Sequence, residues 1–149
     1  AHGYHGALNQ KEIEGLNIFR SFVARCAECH TPPLFTNQQF AVIGSPEPDG
    51  LPLDPGAEIP FDDKTLRGGF KVPSLRNIAK TAPYMHAGQY KTLSDVLKHY
   101  ADPPSTKVGM SDLLPVELDD KDLVQLEAFL HTLDSPINAD PELLGPYVP

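Results

Sequence analysis

Apolar residues recur in three helical bursts along this chain, separated by long polar and proline-rich stretches. Ile13, Leu16, Phe19 and Val23 lie three or four positions apart, the spacing that aligns side chains on one helix face. The pattern predicts a first helix over 9–25, opened by Asn9 and Glu12, whose side chains can cap each other's backbone N–H groups. A second, short helix starts at Thr92 with Asp95. It carries Leu93, Val96, Leu97 and Tyr100 and must end before Pro103 and Pro104. The third spans 119–133, with Asp119, Asp120 and Asp122 in its first turn, where the helix dipole favours negative charge. Its stripe of Leu123, Leu126, Phe129, Leu130 and Leu133 predicts packing across the first helix. Strand patterns are weak and no segment repeats. The expectation is one all-α domain over 1–149.

Between the first two helices, residues 32–70 read as turn chemistry: Ser45-Pro46, Pro48-Asp49-Gly50, Asp54-Pro55-Gly56 and Gly68-Gly69. A loop of this length is uncommon unless it is functional or tied to a ligand. The tail 136–149 reads as extended. The chain has 149 residues, 16 prolines and 11 glycines, which leaves room for one core with much irregular backbone. A net charge of −8 argues against nucleic acid and for a basic protein partner. No apolar run approaches the ~20 residues of a membrane helix, so no membrane span is expected.

Both cysteines of the chain fall in Cys26-Ala27-Glu28-Cys29-His30, the Cys-x-x-Cys-His attachment signature of a c-type haem. Thiols at i and i+3 on one helical turn can each add to a vinyl group of one porphyrin, and the adjacent imidazole can bind the iron. Other readings explain less. A structural zinc site needs about four Cys or His ligands, and no second cysteine pair exists. A thioredoxin-like redox pair needs a preceding strand, whereas a helix leads into Cys26. A simple disulfide leaves His30 without a role. The fold expectation therefore sharpens to a cytochrome c-like haem domain with long Pro/Gly-rich loops. Because such haems are attached outside the bacterial cytoplasm, the chain is expected to be a periplasmic protein whose leader has been removed.

Beyond that motif, Phe70-Lys71-Val72-Pro73-Ser74-Leu75-Arg76-Asn77 and Thr81-Ala82-Pro83-Tyr84-Met85-His86-Ala87-Gly88 carry a resemblance. With Thr92-Leu93, His99-Tyr100 and the Pro33-Leu34-Phe35 that follows the haem motif, they resemble the C-terminal haem domain of bacterial dihaem cytochrome c peroxidases and MauG-like proteins. The match covers roughly residues 12–133. It implies an electron-transferring haem, normally joined to a second, peroxidatic haem domain and a boundary calcium ion. Only one haem motif stands here. The resemblance further implies that the carbonyls of Thr81 and Pro83 are calcium ligands, that Arg76 lies near a haem propionate, and that His86 lies in the haem environment. At the position of the distal iron ligand, methionine in the peroxidases and tyrosine in MauG-like proteins, this chain has Tyr100.

Met110, in the loop Lys107-Val108-Gly109-Met110, is the competing distal ligand, because a loop thioether is the usual sixth ligand of small cytochromes c. Met85 reads as a core filler beside Tyr84. His2 and His5 read as solvated, and His99 and His131 as surface or hydrogen-bonded residues rather than ligands. Two function classes remain. One is electron transfer through a single haem c to a redox partner protein, which includes a second haem-bearing chain. The other is a peroxidase or MauG-like oxidase, which would need an open iron position and a distal acid or base. Glu58, Asp62 and Asp63 are the loop carboxylates available for that task, and solvated roles suit them better. No catalytic residue is assigned.

Overall fold

The computed structural model describes residues 6–48 and 50–136. Helix α1, Gln10–Phe19, begins with the expected reciprocal cap: Asn9 Oδ1 accepts the Glu12 N–H at 3.1 Å and Glu12 Oε2 accepts the Asn9 N–H at 2.8 Å. It stops well short of residue 25. Ser21 Oγ accepts the Ala24 N–H at 3.0 Å and the Ser21 carbonyl accepts the Arg25 N–H at 2.9 Å, so a local turn replaces the next helical turn. Arg25 then takes a left-handed conformation, φ 55°, which redirects the chain into the one-turn helix α2, Cys26–Cys29. Val23, expected on the buried face, is therefore exposed, as is Phe22.

The long segment after His30 carries short elements of its own. Strand β1, Phe40–Ala41, pairs antiparallel with β2, Phe70–Lys71, in the register Phe40 to Lys71 and Ala41 to Phe70. Between them lie α3, Glu58–Phe61, and a 3-10 turn at Lys64–Leu66. The described residues are thus helical with one two-stranded ribbon, an exception to the all-α expectation. Weak strand patterning is what two-residue strands leave in a sequence.

Helix α4, Leu93–Ala101, is capped by Thr92, whose Oγ1 accepts the Asp95 N–H at 3.1 Å. Helix α5, Asp120–His131, is capped by Asp119, whose Oδ1 accepts the Asp122 N–H at 2.8 Å. The core gathers Phe19, Tyr84, Leu93, Leu97, Leu126, Phe129, Leu130 and Leu133 where α1, α4 and α5 meet. Gly15 lets α1 and α5 touch backbone to backbone, because a β-carbon there would overlap the Gln125 carbonyl. Phe35 joins this core from the long loop, its ring 6.0 Å from Phe19 and 6.3 Å from Phe129. His2, His5 and the tail from 137 onward lie outside the described residues.

Candidate haem site

The turn at Ser21–Arg25 sets Cys26 and Cys29 one helical turn apart, both as free thiols. Burial pushes the Cys26 thiol up from 9.0 to about 11. Burial also raises Cys29, helped by the negative charges of Asp112 and Glu28. Asp112 comes from a distant loop. Its Oδ2 accepts the Val42 N–H at 2.8 Å and its own N–H donates to the Val42 carbonyl at 2.8 Å.

His30 closes α2. Its Nδ1–H donates to the Phe35 carbonyl at 3.0 Å, a bond that settles the tautomer and leaves the Nε2 lone pair for a metal. Burial lowers its pKa against the pull of the Phe35 and Pro73 carbonyls. The ring is therefore neutral, as metal ligation requires.

Tyr100, in the last turn of α4, is partly buried. Its phenol is raised strongly above 10.0, first by burial and then by the charges of Cys26 and Cys29. The hydroxyl thus lies within electrostatic reach of both cysteines. Met110 is 86% exposed on its loop.

Of the two roles the sequence leaves to the residue before Tyr100, surface or hydrogen-bonded, the structure shows the second. His99 is 4% exposed, and both ring nitrogens are engaged: Nε2 with the Ile43 carbonyl at 2.8 Å and Nδ1 with the Tyr90 hydroxyl at 3.1 Å. A carbonyl only accepts, so Nε2 carries the proton and Nδ1 accepts from Tyr90. This pins α4 to the segment following β1, and with it Tyr100. The signal available in the sequence was its adjacency to Tyr100 alone.

The other expected residues have settings of their own. The His86 ring is stacked on Phe70, centroids 3.8 Å apart, and its Nε2 lies 3.0 Å from Asp54 Oδ2. Both line a cleft of about 410 Å³ with Leu51, Leu53 and Pro55, and neither cysteine nor Tyr100 belongs to that lining. Arg76 gives its Nε–H and an Nη2–H to the Pro33 carbonyl at 3.0 and 2.7 Å. Thr81 and Pro83 are exposed just after a 3-10 turn at Ile78–Lys80. Glu58 accepts from Arg67 at 2.7 Å, Asp63 caps the Thr65 N–H at 2.9 Å, and Asp62 ends α3. The Glu58 and Asp63 carboxylates hold the loop. Among the described residues no cluster of three or more His, Cys, Asp or Glu side chains forms a metal site.

Two neutral thiols on one turn and a histidine with Nδ1 committed to a carbonyl form a donor set that fits haem c. The cytochrome c family pattern matches residues 17–134. This chain belongs to the cytochrome c family. As a cytochrome c it carries haem c. It is 33% identical to the methylamine utilization protein MauG of Methylophilus methylotrophus, over 89% of this chain and 39% of that protein. It is 30% identical to a cytochrome-c peroxidase of Denitromonas iodatirespirans, over 99% of this chain and 47% of the relative. Among solved structures, a MauG-like protein associated with microbial copper homeostasis superposes with TM-score 0.75 and 28% identity, covering 87% of this cytochrome and 48% of that chain. The dihaem peroxidase BthA of Burkholderia thailandensis shares the fold with TM-score 0.72, 24% identity and coverage of 85% and 43%. The cytochrome thus spans less than half the length of these relatives. No helix among the described residues is long and apolar enough to cross a membrane.

Proposed function

We propose that this cytochrome is the electron-transferring haem domain of a MauG-like or cytochrome c peroxidase-like system, with one haem ligated by His30 and Tyr100. The observation that carries this reading is the half-buried Tyr100 on α4, held there by the doubly hydrogen-bonded His99 beside it, while Met110 is exposed. When bound, the haem supplies one-electron exchange between ferrous and ferric iron. Cys26 and Cys29 tether it, His30 offers Nε2, and Phe35 holds the imidazole through Nδ1. Tyr100 would hold the iron as a phenolate, its proton passing to solvent, and that negative charge would favour the ferric state and lower the potential. His99 keeps α4 in the register that presents it.

The electron partner is a redox protein, and a second haem-bearing domain or chain suits the length of the relatives. The negative net charge suits a basic docking surface. Haem attachment of this type belongs to the periplasm, where the reading places the protein. Calcium held by the Thr81 and Pro83 carbonyls would need further ligands from outside this chain. The relatives named as peroxidases favour a second reading, in which the system acts on hydrogen peroxide.

Absorption spectra of the purified holoprotein, ferric, dithionite-reduced and after peroxide, test both readings. Tyr100→Phe should change the ferric spectrum and raise the potential, and Met110→Leu should change neither. The reverse pattern overturns tyrosine ligation. A wild-type iron that reacts with peroxide at once moves the enzymatic reading forward; an inert one favours electron transfer.

A further inference from the structure

Three consecutive carbonyls of the loop after the haem motif each have a specific donor. The Pro33 carbonyl receives Arg76 Nε–H and Nη2–H at 3.0 and 2.7 Å, and the Leu34 carbonyl receives the Ser74 hydroxyl at 2.5 Å. The Phe35 carbonyl receives His30 Nδ1–H at 3.0 Å. Ser74 Oγ also accepts the Arg76 backbone N–H at 3.1 Å, so Ser74 and Arg76 act as one unit. The Arg76 guanidinium carbon lies 5.4 Å from the centroid of the Phe35 ring. That ring also meets Phe19 and Phe129 in the core. Next to it, the Thr36 hydroxyl donates to the Val72 carbonyl at 2.6 Å.

From this arrangement we infer that Arg76 is a positioning residue for the iron-binding histidine, acting through Pro33–Phe35 on the carbonyl that holds His30 Nδ1–H. The inference rests on the reading of His30 as the proximal ligand. Direction and distance of that carbonyl set the strength of the Nδ1–H bond, and so the electron donation of Nε2 to a metal. Arg76 itself is exposed, and an exposed polar contact adds little to stability by itself. Its effect lies in orientation. The planar guanidinium fork grips one carbonyl with two donors and covers the neighbouring aromatic ring, which a lysine ammonium does with less directional control. A role toward a haem propionate would draw on the three remaining N–H groups. It leaves the Pro33 clamp in place and is a separate function.

The test uses holoprotein with labelled histidine in the carbon monoxide-bound ferrous form, whose iron is diamagnetic, and follows the His30 Nδ1–H proton by NMR. Arg76→Gln should move this resonance upfield and speed its exchange with water about fivefold to tenfold, the worth of one net hydrogen bond. Arg76→Lys should fall between Arg76→Gln and wild type. The midpoint potential should rise in the same order as the imidazole donates less. If Arg76→Gln fails to retain haem, Ser74→Ala, which frees the Leu34 carbonyl, should show the same change in smaller measure. An unchanged resonance and exchange rate in a haem-loaded Arg76→Gln or Ser74→Ala protein overturns the inference. A change of potential with an unmoved His30 proton also overturns it, assigning Arg76 to the propionate instead. A wild-type His30 ring proton without the haem ring-current shift overturns the reading of His30 as ligand, and this inference with it.

Discussion

At the residue scale, His99 shows how a buried polar side chain earns its place next to the chemistry. Both of its nitrogens are satisfied, and removing the ring leaves the half-buried Ile43 carbonyl and Tyr90 hydroxyl without that partner. His99→Leu should therefore cost about 1–3 kcal/mol, read from urea unfolding of the holoprotein, and should disturb the ferric spectrum through Tyr100. His99→Gln can donate to one oxygen and accept from the other. It should restore most of both signals, and equal damage from the two variants would contradict the hydrogen-bond account. The sequence alone left His99 open between surface and satisfied roles, because both of its partners, Ile43 and Tyr90, are identified only by the folded chain.

At the scale of elements, local interactions were the most legible. Asn9 with Glu12 and Thr92 with Asp95 sit three residues apart and cap helices where their spacing said they would, and Asp119, expected only as a first-turn charge, caps α5 through the Asp122 N–H. The end of α1 was not legible. Val23 keeps helical spacing, yet Ser21 and Arg25 close a turn that no periodicity reveals, since hydrophobic position is measured against a core that the sequence does not display. Gly15 is the element-scale counterpart of a tight fit. Gly15→Ala should improve helix propensity and still destabilise the protein by about 1–3 kcal/mol, because the added methyl forces α1 away from α5. A raised thermal midpoint for this variant would show that the two backbones do not need their close approach.

At the scale of the whole molecule, the haem-free and haem-loaded proteins should differ in alkaline stability. With both thiols unmodified, burial holds the Cys26 proton up to about 11, against 9.0 in an exposed chain, and the Cys29 thiol and Tyr100 phenol are also raised. The folded state therefore binds more protons than the unfolded state above pH 9, and stability falls as pH rises from 9 toward 11. Thioethers do not titrate, so the cysteine contribution to this loss should vanish on haem attachment. Urea midpoints at pH 8 and pH 10 for both forms check the difference; parallel losses would mean that the thiols are not buried. The amino-acid sequence by itself determined the haem motif, the helix caps, the apolar stripes and the family resemblance, because each is written in neighbouring residues or in contiguous motifs. Only the tertiary structure joined Arg76 to Pro33, tied His99 to Ile43 and brought Asp112 to Val42. Such pairs are separated by long stretches of chain, and their meeting depends on how the helices and the loop close on one core.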